Sequence, residues 1–292
     1  MATTDTSSFR PGQNCQFSIE DVPYREDERE PILARVYRPE GPGPFHAVID
    51  IHGGVWTGGD RKQNELMDRA LAADGLVVIA LDFRVAPAHP YPAQIQDVNY
   101  GIRWAKAHVA QLNIVPDTLG GLGTSSGGHT LMLAIMRPHD PRYAALPLPE
   151  APDIEATVAY GLNLWAVLDP YVRYLYARTP EAPQHLVKST EGYFPTEEAM
   201  LEGNPQRVLE RGEAEELPPI LIVQPIPDRN VPKEIPERFF AAYRAAGGYA
   251  ELETFPGAQH GFAREASSET ERALEVMRSF IARQLGAVPV SG

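Results

Sequence analysis

The sequence predicts an α/β fold in which a mostly parallel sheet of eight strands is flanked by helices. Short runs of β-branched and apolar residues, bounded by Gly, Pro and Asp, alternate along the chain with longer segments of helical periodicity. One aromatic-rich and charged stretch, residues 169–216, breaks this alternation. A chain of 292 residues fits one domain of this class with an insertion.

The strands are predicted from short apolar runs, and the first two are expected to form an antiparallel edge. In chain order they cover residues 16–22, 32–37, 47–51, 77–81, 119–122, 157–160, 220–223 and 250–254. The predicted helices cover residues 61–73, 95–111, 126–136, 232–246 and 268–285. Residues 169–216 follow the sixth strand and are too long for a simple connection, so we expect a cap over the strand ends.

Composition and net charge disfavour several functional classes. The hydrophobic share is 43% and the charged share 22%, and no apolar run approaches the ~18 residues that a membrane-spanning helix needs. The net charge of −13 disfavours nucleic acid and anionic membranes as partners. Cys15 is the single cysteine, which excludes an internal disulfide and a thiolate metal cluster.

The first residues carry neither a basic start nor an apolar stretch. They predict a disordered or flexible lead over residues 1–15, followed by the domain at residues 16–292. Cytoplasmic residence is the expectation that accompanies this interpretation.

Residues Gly123-Thr124-Ser125-Ser126-Gly127 fit the pattern G-x-S-x-G between a predicted strand and a predicted helix. Such a turn lifts the serine hydroxyl out of the sheet and directs the helix N-terminus at negative charge that forms beside it. The motif therefore predicts that Ser125 is a nucleophile.

A serine nucleophile needs a base that takes its proton and an acid that orients the base. Asp228 follows the predicted strand 220–223, at the sheet edge where catalytic groups collect in parallel sheets. His260 lies between glycines in the loop that precedes the last helix. The pattern predicts a catalytic triad of Ser125, Asp228 and His260, with Glu234 as a distant alternative acid.

Backbone donors for an oxyanion are predicted in Ile51-His52-Gly53-Gly54-Val55-Trp56, which follows the third strand. The N–H groups of Gly53 and Gly54, with that of Ser126, are the candidate oxyanion hole. We expect His52 to brace this loop by hydrogen bonding.

With these motifs the chain resembles the α/β-hydrolase superfamily, in particular its hormone-sensitive-lipase-like esterase branch. The resemblance extends from about Ala47 to Leu285 and includes Asp82-Phe83-Arg84-Val85-Ala86-Pro87 and Tyr91-Pro92-Ala93. It implies the α/β-hydrolase fold, the triad above, loop-pinning roles for Asp82 and Arg84, and no metal or organic cofactor. Many members of the branch form dimers through the last strand and helix, so a homodimer is an expectation here.

The oxyanion segment departs from the His-Gly-Gly-Gly of that branch. Its form, His-Gly-Gly-x-Trp, is similar to the motif of kynurenine formamidase and of some feruloyl-type esterases. Val55, Trp56 and Trp165 are the candidate substrate-binding residues. Cleavage of small-molecule carboxylic esters through an acyl-enzyme on Ser125 is the predicted activity; an amidase or aryl formamidase with the same triad, and a non-catalytic binding module, are the alternatives.

Overall fold

A computed structural model describes residues 9–27 and 30–286 of the chain, and one sheet crosses this part of it. Its strands, hydrogen-bonded in the order β1-β2-β4-β3-β5-β6-β7-β8, are β1 (Phe17–Arg25), β2 (Ile32–Pro39), β3 (Ala47–Ile51), β4 (Val77–Leu81), β5 (Gly120–Thr124), β6 (Gly161–Leu164), β7 (Ile220–Ile226) and β8 (Ala250–Pro256).

The sheet is parallel from β3 to β8, and β2 pairs antiparallel with both β1 and β4. The predicted eight-stranded sheet and its antiparallel edge are thereby confirmed. Every residue of β3, β4 and β5 is buried, because helices cover both faces of the central strands. The carboxyl ends of these strands form the edge at which the predicted site residues lie.

Helices occupy both faces of the sheet and the connection after β6. Among the described residues they are α1 (Glu65–Ala73), α2 (Ala93–Ala107), α3 (Val109–Leu112), α4 (Ser126–Met136), α5 (Pro170–Ala177), α6 (His185–Tyr193), α7 (Glu197–Glu202), α8 (Pro205–Glu210), α9 (Glu234–Ala245) and α10 (Ser268–Gln284).

Two apolar clusters, one on each face, make up the core. Helices α2, α4 and α9 contribute Ile95, Leu131 and Phe239 to one cluster. Helices α1 and α10 contribute Leu71 and Met277 to the other. This is the doubly covered sheet that the alternation of strands and helices predicts.

The sixth strand was predicted four residues too early. Residues 157–160 are not a strand, and β6 begins at Gly161. The β-branched and aromatic residues of 157–160 favour a strand by intrinsic propensity. The strand instead begins at Gly161, which pairs with both β5 and β7. A Cβ on this residue would lie 3.2 Å from Ile135 Cδ1, so the position favours a small residue over one with high β propensity.

Residues 169–216, called the cap below, contain α5 to α8. Asp169 caps α5 by accepting a hydrogen bond from the Val172 N–H, and it also accepts one from Asn204 Nδ2 at 2.8 Å. Asn204 in turn caps α8. One buried carboxylate therefore connects the first and last helices of the cap.

The predicted flexible lead differs from the structure where it is described. Residues 1–8 lie outside the described residues. Phe9 is buried in the core, the Gly12 N–H donates to Asp74 Oδ1 at 2.6 Å, and the Cys15 N–H donates to the Ala73 carbonyl. The prediction is wrong for residues 9–15, because an aromatic anchor and hydrogen bonds to the end of α1 hold them against the domain.

Candidate active site

Ser125 stands at the turn between β5 and α4 with φ 54° and ψ −120°. A positive φ is rare for a residue that carries a Cβ and marks local strain. The glycine two residues later permits this turn, since a Cβ on Gly127 would lie 2.1 Å from the Ile51 carbonyl oxygen. The strained serine turn that the motif predicts is therefore present.

The three predicted triad residues come together in one hydrogen-bonded row. Ser125 Oγ lies 2.9 Å from His260 Nε2, and His260 Nδ1 lies 2.8 Å from Asp228 Oδ2. Because an ionised carboxylate only accepts hydrogen bonds, Nδ1 carries the imidazole proton. Nε2 is then free to accept the hydroxyl proton of Ser125.

Asp228 is held rigidly by the residues around it. Its Oδ1 accepts the N–H groups of Asn230 at 2.7 Å and Val231 at 3.1 Å, and its Oδ2 accepts Gln224 Nε2 at 3.3 Å in addition to His260. These bonds fix the carboxylate plane that orients the imidazole. The alternative acid, Glu234, is the first residue of α9, and His260 bonds to Ser125 and Asp228 instead.

The oxyanion loop, residues 52–56, lies against the serine turn. A Cβ on Gly53 would be 3.0 Å from Ser125 Cβ, so its backbone approaches the nucleophile closely. Within the described residues, the N–H groups of Gly53, Gly54 and Ser126 make no hydrogen bond. Unengaged donors beside the nucleophile, here Gly53 and Ser126 with Gly54 next to Gly53 in the same loop, are what an oxyanion hole requires.

The oxyanion loop is held by hydrogen bonds from two directions. The hydroxyl oxygen of Ser126 accepts the Trp56 N–H at 3.1 Å, and the Trp56 carbonyl accepts Gln94 Nε2 at 2.6 Å and the Ala86 N–H. These hydrogen bonds hold the loop against the serine turn.

His52 braces the same loop, as predicted. Its Nδ1 lies 2.7 Å from the Gly53 carbonyl oxygen, and its ring stacks on Phe83 with 4.1 Å between centroids. Phe83 stands between two charged anchors, because Asp82 pairs with Arg61 and Arg84 pairs with Asp97. Burial lowers the pKa of His52, which keeps this ring neutral.

Two of the three candidate substrate-binding residues are buried in the structure. Trp56 is 1% exposed and stacks on Tyr193, with 5.1 Å between ring centroids. Trp165 is fully buried against His260 and Phe262. Large apolar rings beside a packed cap gain free energy from burial, and a role for either ring in substrate binding stays a prediction.

Val55, the third candidate, is half-buried at the tip of the oxyanion loop with φ 50°. A β-branched residue with positive φ is an outlier of the kind that collects at functional sites. Its role in substrate binding stays a prediction.

His129 is a component of the site that the sequence reasoning missed. It is fully buried on α4, where Nδ1 accepts Trp56 Nε1–H at 3.1 Å and Nε2 donates to the Gly203 carbonyl at 2.8 Å. Indole nitrogen only donates and carbonyl oxygen only accepts, so both partners select one neutral tautomer. Burial accordingly lowers the pKa of His129 to about 4. The spacing of four residues from Ser125, one helical turn, was the signal available in the sequence.

The described part of the chain holds neither a metal-ligand cluster nor a helix suited to span a membrane. Its His, Cys, Asp and Glu side chains form no group of three or more that could hold a metal ion. None of its helices combines the length and apolar character that crossing a bilayer requires.

The fold has counterparts among solved structures. Butyrate-bound esterase Est2 of the planctomycete Thermogutta terrifontis superposes with a TM-score of 0.76 at 24% identity, covering 94% of this chain and 96% of that one. The chain therefore has the α/β-hydrolase fold. The chain also superposes on esterase LipW of Mycobacterium marinum, with a TM-score of 0.74 at 23% identity over 92% of this chain and 82% of LipW.

Sequence comparisons point to the same group. Residues 35–163 of the chain match the BD-FAE family model. The chain is 34% identical to esterase LipC of Mycobacterium tuberculosis over 79% of this chain and 56% of LipC, and 27% identical to esterase LipQ of the same organism over 95% of this chain and 66% of LipQ. The chain thus spans between half and two thirds of the length of these relatives. The predicted resemblance to hormone-sensitive-lipase-like esterases is confirmed; the likeness to kynurenine formamidase stays a prediction.

Proposed function

We propose that this protein is a serine carboxylesterase of the α/β-hydrolase superfamily that cleaves small-molecule esters through an acyl-enzyme on Ser125. The row Ser125–His260–Asp228, with separations of 2.9 and 2.8 Å, is the observation that carries the proposal. Esterases are also the named relatives to which the chain is similar.

In the proposed reaction, Ser125 Oγ attacks the ester carbonyl carbon while His260 Nε2 takes the hydroxyl proton. The carbonyl oxygen becomes an oxyanion and accepts hydrogen bonds from Gly53, Gly54 and Ser126 N–H. Collapse of this intermediate breaks the bond to the alcohol oxygen, which receives the proton from His260. An acyl-enzyme and a free alcohol result.

Water then resolves the acyl-enzyme. His260 Nε2 removes one water proton as the oxygen attacks the acyl carbon, and the same proton returns to Ser125 Oγ when the acid leaves. Asp228 stays ionised throughout and holds the imidazole in the tautomer that accepts at Nε2.

The test is turnover of p-nitrophenyl butyrate together with covalent labelling by paraoxon, a reagent that phosphorylates the Thermogutta terrifontis esterase. We expect wild-type protein to hydrolyse the ester and to gain one diethylphosphoryl group, located on Ser125 by peptide mass spectrometry. Ser125→Ala removes both signals, whereas Ser189→Ala, at an exposed hydroxyl on cap helix α6, retains them. An intact protein that is neither active nor labelled refutes the proposal and favours the non-catalytic binding module.

The amidase alternative is separated by substrates that differ only at the scissile bond. Matched p-nitrophenyl butyrate and p-nitrobutyranilide are compared under the same conditions. We expect kcat/KM to favour the ester, and faster anilide or formamide turnover would replace the esterase assignment.

Two further expectations from the sequence belong to this proposal. β8 is the last strand of the sheet, with Tyr249 beside it 54% exposed, so an edge is available for the predicted homodimer. Light scattering measures the mass in solution, and a monomer at all accessible concentrations refutes the dimer. Cytoplasmic residence stays a prediction that cell fractionation tests.

A further inference from the structure

A buried arginine in the cap lies beside the proposed catalytic residues. Arg173, on α5, is 1% exposed. Its Nε donates to the Asn230 carbonyl at 3.3 Å and its Nη1 to Thr190 Oγ1 at 3.2 Å, while its Cζ lies 5.4 Å from the Trp56 ring centroid. Both hydrogen bonds are longer than the usual 2.9–3.0 Å. The guanidinium is therefore enclosed but only weakly satisfied.

Arg173 has no carboxylate partner within 4.0 Å among residues 9–27 and 30–286. The arginines that support the oxyanion loop differ in this respect, because Arg61 and Arg84 each form an ion pair. Burial lowers the pKa of Arg173 to about 10, partly opposed by Asp228, so the side chain is still charged at neutral pH.

Asp228 does not neutralise this charge by direct contact. Its two oxygens are occupied by His260, Gln224 and the backbone of residues 230 and 231. Nη2 of Arg173 makes no hydrogen bond to the described residues. A desolvated cation with an unused donor is unfavourable unless an anion completes its coordination.

Arg173 contacts residues that also contact or carry the proposed catalytic groups. Asn230, whose carbonyl accepts Arg173 Nε, donates its own N–H to Asp228, and the Trp56 ring beneath the guanidinium belongs to the oxyanion loop. Arg173 therefore lies between the cap, the loop that carries the catalytic acid, and the loop that carries the oxyanion donors.

We propose that Arg173 binds a carboxylate of the substrate, so that the preferred substrates are esters that carry a free carboxylate in addition to the scissile bond. This inference rests on the proposed esterase function. A carboxylate matches the planar fork of a guanidinium and supplies the missing counter-charge inside a low-dielectric site. Its attraction is local, because the net charge of −13 acts through screening solvent whereas the buried cation is screened little.

The proposal is tested with ester pairs that differ in one charge. On the acyl side, mono-p-nitrophenyl adipate is compared with its methyl ester; on the alcohol side, 4-carboxyphenyl butyrate is compared with its methyl ester. The measured quantity is the ratio of kcat/KM for the acid to kcat/KM for its methyl ester. We expect this ratio to exceed one in the arm whose carboxylate reaches Arg173.

Arg173→Met removes the charge at similar volume and is expected to lower that ratio about 100-fold. Arg173→Lys keeps the charge without the fork and is expected to lower it about 10-fold. Arg178→Met is the matched control, since Arg178 is exposed at the end of the same helix and its loss leaves the ratio unchanged. The proposal is overturned if Arg173→Met lowers kcat/KM equally for the acid and its methyl ester, or if the wild-type ratio is below one in both arms.

A binding measurement gives a readout that does not depend on turnover. Adipate, the product of the acyl arm, is expected to raise the Tm of wild-type and Arg178→Met protein but not that of Arg173→Met. If Arg173→Met fails to fold, the acid-to-ester ratio of kcat/KM for Arg173→Lys and the adipate titration of wild-type protein decide. If the protein is labelled by paraoxon and hydrolyses neutral esters, but the acid-to-ester ratio does not depend on Arg173, this inference is overturned and the esterase function stands. If the protein is not labelled, the esterase function is overturned, and the Tm shift with adipate alone decides whether the carboxylate site exists.

Discussion

His129→Phe tests the hydrogen-bonded joint between the oxyanion loop and the cap. The substitution keeps an aromatic ring among Trp56, Tyr193 and Phe194 but removes both ring nitrogens. The Trp56 indole N–H and the Gly203 carbonyl then lose their partners in a buried site. An unsatisfied buried donor or acceptor costs about 1–3 kcal/mol, so we expect the variant to lose about 4 kcal/mol of unfolding free energy at pH 7.5.

The loss is expected to depend on pH in a direction that the pKa shift fixes. Burial lowers the pKa of His129 from 6.5 to about 4, so between these values the unfolded chain binds a proton that the folded chain does not. Stability from this histidine is therefore fully present above pH 6.5 and declines as pH falls towards 4. Between pH 7.5 and pH 5.0 wild-type protein is expected to lose about 2 kcal/mol that His129→Phe does not lose.

Urea denaturation of both proteins at pH 7.5 and pH 5.0 measures this difference. Titrating groups that both proteins share contribute equally to the two unfolding free energies, so their contributions cancel on subtraction. The remaining pH dependence is that of His129. His129→Gln, which keeps one donor and one acceptor but does not titrate, serves as the control for hydrogen bonding without protonation. A wild-type advantage over His129→Phe that is equal at the two pH values refutes the assignment of a buried neutral imidazole.

Three further substitutions probe the serine turn, the acid and a buried carboxyl group. Gly127→Ala places a Cβ 2.1 Å from the Ile51 carbonyl oxygen, so we expect loss of about 3 kcal/mol in urea denaturation and loss of esterase activity; wild-type stability would contradict the strained turn. Asp228→Asn disfavours the imidazole tautomer that accepts at Nε2, and we expect kcat to fall about 10⁴-fold with little change in Tm; a fall below tenfold would count against this acid. Asp68 is fully buried with neither carboxylate oxygen hydrogen-bonded, and burial, with the nearby Asp50, raises its pKa well above the usual value. Its stabilising effect is present below pH 3.8 and declines as pH rises, so Asp68→Asn is expected to gain about 2 kcal/mol at pH 8 and none near pH 3.5, and an equal change at both would refute this interpretation.

The main features of the fold and site were predictable because they depend on local sequence. Periodicity located the sheet and its flanking helices, and the glycines around Ser125 identified the turn because few other residues fit there. Asp228 and His260 could be predicted from their places after β7 and before α10, where parallel sheets bring catalytic groups together.

The remaining features depend on tertiary contacts that a single sequence does not display. The start of β6 at Gly161 follows from space between neighbouring strands, against the propensity of the residues before it. Trp56 and Trp165 are buried by cap residues and by the His260 loop, which are distant in sequence. Arg173 was not singled out because its significance is the lack of a carboxylate partner, and that is visible only when its neighbours are known.

The hydrogen bond from His129 to the Gly203 carbonyl has a consequence for exchanging caps between related hydrolases. Gly203 follows α7, and a Cβ at this position would lie 2.5 Å from the Tyr91 ring, so the carbonyl sits where only a residue without a side chain fits. A transplanted cap that lacks this carbonyl leaves the imidazole, and through it Trp56, without an anchor. Grafting a cap to change selectivity would then alter turnover as well, unless the graft keeps a glycine at that junction.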